Sequence, residues 1–335
     1  MKRKIIKQGH NTLTITLPKD WTKKLNLKAG DEINLLEKEN GLFLTSERKN
    51  ERLITEIDIT SLDIPSIWKY FMAFYREGYD EIKVKFNPDK LYNSPYKYVT
   101  TYAENLRYGK KSKKCTSFET LQGITSRFIG FEIIEHHEDY CIIKEITEPS
   151  SKEFESSLRR IFLLIQQMGE EIIKSIKTNN TKVVRNTEDI DINVDRFHDY
   201  CIRVLNKTAL LHTKKTNILF ATLHILELIG DEFRSIANHL IEDMKGRTLN
   251  NLLPLAEMIT EQFNEFYVLF YSFDINKVVE MSKRDLDVHF YLPKLYKKKG
   301  KKSLLSDDEL EIFNHFRRIS KHINSIVELR IEMEF

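Results

Sequence analysis

The chain has 335 residues, 31% of them charged and 41% hydrophobic, with only 11 Gly and 7 Pro, which excludes a disordered or collagen-like polymer and leaves room for two or three domains. Its most apolar stretch, NILFATLHILELIG, is broken by His224 and Glu227 well short of the ~20 apolar residues a spanning helix needs, which argues against membrane insertion. The three cysteines, Cys115, Cys141 and Cys201, form no CxxC, so neither a disulfide framework nor a zinc ribbon is supported and a cytoplasmic location is expected.

The net charge is only +3, but residues 1–49 hold eleven Lys and Arg against six Asp and Glu, a local excess of the kind that polyanions meet. Residues 3–17 alternate around the turn signal QGHN and resume as TLTITL, which predicts two short strands. Pro18 opens a short helix, PKDWTKKL, with Trp21 and Leu25 as an i, i+4 apolar pair. Gly30 ends the next turn, and Asn40-Gly41 predicts a type I′ hairpin between two more strands. About 45 residues with four strands and one two-turn helix cannot close a good core alone. The unit is expected to dimerise.

On TLPKDW (Thr16 to Trp21) and LNLKAGDEI (Leu25 to Ile33), this pattern resembles the AbrB/MazE/SpoVT swapped-hairpin DNA-binding domains. In that family two chains interleave their strands and present basic loops to DNA. Carried over by position, the resemblance implies DNA contacts from Arg3, Lys4, Lys7, His10, Asn11 and Lys19. One departure is visible: many members place an Arg on the strand before the LP dipeptide, where this chain has Thr16, so bidentate reading of guanine there is lost. The alternative is a basic dimer module without a specific DNA site, binding weakly through phosphates.

From Arg52 to Ser150 a small α/β layer is expected: ERLITEIDIT as a strand, IPSIWKYFMAFYREGY as a helix, and DEIKVKF as a strand. Then SFETLQGITSRF reads as a helix and GFEIIEHHEDYCIIKEI as a hairpin turning near Glu138 and Asp139. His136 and His137 are adjacent in a strand and point to opposite faces, so they do not chelate together. Residues 88–116 are ambiguous. Their basic run from Arg107 to Lys114, with Tyr92, Tyr96 and Tyr98 nearby for stacking, reads either as a solvated loop or as a nucleic-acid contact.

After Pro149 the texture becomes amphipathic helix: Lys152 to Lys177, about 182–211 and about 216–243, then a second triplet over about 250–273, 275–295 and 306–333, with KKKGKK (Lys297 to Lys302) at its exposed corner. The second and third helices each set two carboxylates four residues apart, Asp191 with Asp195 and Glu227 with Asp231, and i, i+4 residues share one face. Packed side by side, such helices gather the acids into one patch whose repulsion is relieved by protonation or a cation.

At DINVDRF and ELIGDEFRSIA the helical half resembles PhoU, a family of phosphate-uptake regulators. The resemblance implies two three-helix repeats, about 150–246 and 247–335, and a carboxylate site able to hold a metal ion. It places Asp191, Asp195, Glu227 and Asp231 as ligands, with Glu188 assisting and Fe, Mn, Mg or Zn as the ion. In the second repeat the corresponding positions are Asp285 and His289 on one helix and Arg317 and Lys321 on the other. The basic pair repels a cation and stands ready to pair with Asp285, so the metal is expected in the first repeat alone. His224, one turn before Glu227, is a candidate nitrogen ligand beside its reading as a core histidine.

The expected fold is therefore multidomain α+β: a swapped-hairpin β domain over 1–50, a small α/β domain over 51–149 and a PhoU-like six-helix bundle over 150–335. The whole order resembles archaeal PhoU-family regulators with an AbrB-type head. The expected function is that of a homodimeric, DNA-binding transcriptional regulator of phosphate uptake. The alternative is an adaptor that docks on a phosphate transporter or a sensor kinase. GxSxG, GxxxxGK[ST] and GxGxxG are all missing, and so is the paired Glu-x-x-His of di-iron bundles; no enzymatic activity is expected.

Overall fold

The computed structural model describes residues 2–38, 41–46, 52–93, 114–147, 149–207, 214–242, 249, 251–296 and 305–335. The chain divides into two compact units, Met1–Arg52 and Leu53–Phe335.

In the first unit β1 (Ile6–Gln8) and β2 (Thr12–Thr14) pair antiparallel, with Lys7 opposite Leu13. Gly9 turns the chain between them at φ +71°, a conformation that favours glycine. Pro18 caps α1 (Lys19–Lys24), where its missing N–H costs nothing. Strands β3 (Ile33–Lys38) and β4 (Gly41–Ser46) form a second hairpin. Lys38 pairs with Gly41, so Gly41 belongs to β4, while Asn40 of the expected Asn40-Gly41 turn lies outside the described residues. None of the side chains described in this unit, which leave out 36–38, 43 and 45–46, is buried. Ile6, Leu13, Ile15, Leu35 and Leu42 are 51–68% exposed.

The second unit opens with a four-stranded sheet in the order β5-β6-β10-β9. Here β5 is Ile54–Asp58, β6 Glu81–Lys85, β9 Phe131–His136 and β10 Tyr140–Glu145. Strands β5 and β6 are parallel, joined through α2 (Ile64–Glu77); β10 runs antiparallel to both neighbours. Asp63 caps α2 by accepting from the Ser66 N–H at 2.9 Å, and Ile67, Trp68, Phe71 and Tyr75 give it one buried stripe. Gly78 ends it at φ +95°.

A separate pair, β7 (Leu91–Asn93) with β8 (Lys114–Thr116), precedes α3 (Ser117–Thr125), which Thr116 and Glu119 close with a capping box. Tyr92 is buried, its hydroxyl 3.4 Å from the Ile59 carbonyl, so it is not placed for stacking on bases. The expected partners Tyr96 and Tyr98 and the basic run as far as residue 113 lie outside the described residues, as does 297–302. His136 stacks on Phe118 and His137 on Tyr140, the opposite-face arrangement expected of neighbours at a strand end.

Six long helices follow: α4 (Ser151–Thr178), α5 (Thr187–Lys207), α6 (Lys214–Glu242), α7 (Leu253–Tyr271), α8 (Ile275–Tyr296) and α9 (Asp307–Glu332). Residues 183–186, expected within the second helix, form a 3-10 turn before α5. Phe154, Leu158, Ile161, Ile165, Met168, Ile172 and Ile176 make the buried stripe of α4, started by a Ser150–Glu153 capping box. One continuous apolar core runs from Ile82, Val84 and Phe131 of the sheet through α2 into the helices, so the boundary expected at 149–150 falls inside this unit.

The two helical triplets are not packed alike. In the first, α5 lies along α6; in the second, α9 packs mainly on α6 and only lightly on α8.

Candidate functional site

The acids of α5 and α6 meet along an antiparallel seam, since Asp191 lies near Arg234 at one end and His198 near His224 at the other. Gly230 sits in the seam, where a Cβ would make ordinary contact with Val194 Cγ1 at 3.4 Å and Asp191 Oδ1 at 3.8 Å. Asp191 is buried at 5% exposure. Burial and the nearby Asp195 push its carboxyl up to about 8, against the pull of Arg234. Asp195, with 34% of its side chain exposed, rises only to about 6 through burial and Asp199, opposed by Arg127. Glu227 rises to about 7 through burial, Asp231 and Asp195. Asp231 thus lies within electrostatic reach of Asp191, Asp195 and Glu227, and Asp195 within reach of Asp191 and Glu227. Glu188, the fifth, is 14% exposed at the side chain and joins through Arg234.

The cations here come from three elements. On α6, Arg234 sets its Nε 3.0 Å from Asp191, its Nη2 2.5 Å from Asp231 and its Nη1 4.0 Å from Glu188. Arg127, which follows α3, lies 3.6 Å from Asp195 and over the Trp68 ring at 5.6 Å. Arg76, on α2, bonds Asp199 at 2.5–2.7 Å. At the far end His198 is 1% exposed with no hydrogen bond to either ring nitrogen, its Nδ1 3.4 Å from Asp199. Burial, then His198 and Arg76, hold His224 below the usual imidazole range.

A metal ion needs three or more ligand atoms converging at roughly 2.0–2.6 Å. Among the described residues no group of three His, Cys, Asp or Glu side chains can hold one, and a guanidinium stands between Asp191, Asp231 and Glu188. The donor set in this arrangement does not fit Fe, Mn, Mg or Zn.

The second repeat departs further from expectation. Asp285 accepts a hydrogen bond from Asn324, while Arg317 and Lys321 are exposed. The pairing expected between Asp285 and those two cations is therefore corrected: Asn324 of α9 takes the Asp285 carboxylate, and Arg317 and Lys321 lie on the solvent side of that helix. Sequence reasoning missed Arg234, although its i+3 spacing from Asp231 was readable. It also missed Asp199, four residues past Asp195 on the same row, and Arg76, Arg127 and His198, whose partners Asp199, Asp195 and His224 lie on other elements.

In the first unit the residues singled out for DNA are all exposed: Arg3 and Lys4 precede β1, Lys7 lies on it, His10 and Asn11 are in the β1–β2 turn, and Lys19 begins α1. Among the described residues no helix is long and apolar enough to cross a membrane.

The chain is similar in fold to the phosphate transport system regulatory protein PhoU from Streptococcus pneumoniae, at 16% identity and a TM-score of 0.46, covering 55% of this chain and 94% of that one. It is similar also to PhoU from Pseudomonas aeruginosa, at 18% identity and a TM-score of 0.45, covering 54% and 94%. No curated protein matches. Residues 6–52 match the family described as antidote-toxin recognition MazE, bacterial antitoxin. The chain therefore carries a MazE/AbrB-like domain at its N-terminus.

Proposed function

We propose that this chain is a homodimeric, DNA-binding transcriptional regulator of phosphate uptake, with its N-terminal unit as the DNA-facing part and its helices as the part that receives a signal or a protein partner. The observation that carries the reading is the N-terminal unit itself. It matches the MazE description over residues 6–52, exposes Arg3, Lys4, Lys7 and Lys19, and buries none of the side chains described in it. An isolated unit that leaves Ile6, Leu13, Ile15, Leu35 and Leu42 more than half exposed has apolar surface to cover, and interleaving with a second copy covers it. Cations on a two-fold dimer then face DNA half-sites, and their spacing is a geometric requirement on the dimer.

The link to phosphate uptake rests on the sequence likeness at DINVDRF and ELIGDEFRSIA. No reaction is needed for this role. Thr16, in place of an arginine that reads guanine, favours a second reading in which the head chiefly dimerises and the helices dock on a phosphate transporter or sensor kinase.

The two readings separate in a DNA titration of the full-length protein against its own upstream region. The regulator reading expects tight binding that weakens steeply with salt, and a drop of about tenfold or more for the R3A/K7A double variant, since each lost phosphate contact lowers the salt slope by about one. Binding that is unchanged in R3A/K7A rules that reading out in favour of the adaptor.

A further inference from the structure

Along one edge of α5, acids recur at successive turns: Asp191, Asp195 and Asp199. Each faces a different arginine. Arg234 of α6 meets Asp191 at 3.0 Å, Arg127 meets Asp195 at 3.6 Å, and Arg76 of α2 meets Asp199 at 2.5 Å. Side-chain exposure falls from 34% at Asp195 to 6% and 5% at Asp191 and Asp199, and the arginines are 13–26% exposed. A guanidinium stays charged at every working pH and offers five donors in a rigid fork, so it is a permanent counter-ion.

From this geometry we infer that the α5 acids form a metal-independent ladder of arginine contacts, and that Arg234 stands where a divalent cation would otherwise sit. This inference does not depend on the DNA-binding reading.

Two features support it. First, Arg234 is held from its own helix: it shares a face with Asp231 at i+3, so its fork is brought to Asp191 and Glu188 by the packing that assembles the acids. A cation entering between Asp191 and Asp231 would have to displace that fork and then bear its charge nearby. Second, the other two rungs come from outside the helical pair. Arg76 lies on α2, and Arg127 lies on the segment after α3, where it also stacks over Trp68. The acids are thus engaged in tying α5 to the sheet-bearing layer. Lower on the same helix the tie continues: Arg203 donates to Glu145 and to the Tyr75 and Tyr79 carbonyls, and Lys207 bonds Glu145 at 2.5 Å.

The test uses full-length protein from cells grown with added iron, manganese and zinc. Elemental analysis and melting curves are taken with EDTA and with Mn2+. Wild type is expected to hold less than about a tenth of an equivalent of metal and to melt at the same temperature in both solutions. The R234A variant, with the fork gone and the acids left unneutralised, is expected to bind Mn2+ at least about tenfold more tightly and to melt higher with Mn2+ than with EDTA. Wild type that keeps about one equivalent or more, or melts lower in EDTA, overturns the inference. So does a folded R234A that gains no affinity for Mn2+. If R234A does not fold, R234M keeps the aliphatic stem and serves in its place, and the wild-type measurements decide the metal question without any variant.

Discussion

At the residue scale, Asp191 is the most informative side chain. Burial and Asp195 lift its carboxyl to about 8 in the fold, against an ordinary value near 3.8. A raised carboxyl means that the folded state holds its proton longer than the unfolded chain does. Its contribution to stability is therefore fully present below about pH 4 and is lost as pH rises through about 8. Replacing the group with a neutral isostere removes that dependence. D191N is expected to gain on wild type as pH rises from 5 to 8, read as the difference between the two melting temperatures by calorimetry. A difference that stays constant with pH contradicts the shift.

Arg203 gives a second residue-level prediction. It is 1% exposed, bonds Glu145 and two backbone carbonyls, and lies over the Tyr75 and Phe131 rings. R203A strands a buried carboxylate and two bare carbonyls, and a loss of about 3–5 kcal/mol is expected in denaturant titration. A loss under about 1 kcal/mol would mean that Lys207 alone satisfies Glu145.

The residue scale is also where the limits of sequence reading are plainest. Asp191 with Asp195 and Glu227 with Asp231 were legible, because i, i+4 spacing is a local property of a helix. Arg234 is equally local, three residues past Asp231, yet a stripe of acids points to an added cation before a resident one. Arg76 and Arg127 were not legible. They lie 123 and 68 positions before their partners Asp199 and Asp195, and no periodicity connects residues that only folding brings together.

Among the elements, local signals carried further. Capping boxes at Ser150–Glu153 and Ser306–Glu309, Asp63 before α2 and the positive-φ Gly78 after it are written in adjacent residues, and so are the helices they bound. How those helices cross was not so written. Gly169 on α4 faces Thr260 on α7 so closely that a Cβ would meet Thr260 Cγ2 and Oγ1 at 2.9 Å. G169A is expected to cost about 1–3 kcal/mol through overpacking, although alanine favours the helix. Adding T260A should recover much of that loss in a double-mutant cycle; full additivity would show that the two residues do not touch.

The bond between α6 and α9 was likewise hidden. Glu232 accepts from His315 at 2.5 Å and from Arg318 at 2.7 Å, and although burial raises its carboxyl, those bonds leave it below the usual range. This tie is present above the ordinary glutamate value and is lost as pH falls through the lowered one. It therefore opposes the seam's trend on the acid side.

For the whole molecule, the division after Arg52 separates a unit of short strands from one with a large apolar core. The N-terminal segment announced itself through composition: cations without a core, in a pattern of short strands. The layer and the helices did not announce that they share one core, since each has enough apolar residues to suggest its own. A dimeric head implies a particle of twice the 39.8 kDa chain, and light scattering on an eluting peak should find that mass at micromolar concentration. L13D, placed on an exposed apolar residue of β2, should shift the peak toward monomer without lowering the helix signal.

DNA recognition by the head is read from the affinity of the full-length protein as a function of salt, measured by fluorescence anisotropy on its own upstream sequence beside an unrelated duplex. Tighter binding to the upstream sequence is expected, with a logarithmic salt slope that R3A/K7A makes shallower by about two. Equal affinity for the two duplexes, or a slope that R3A/K7A leaves unchanged, would contradict it.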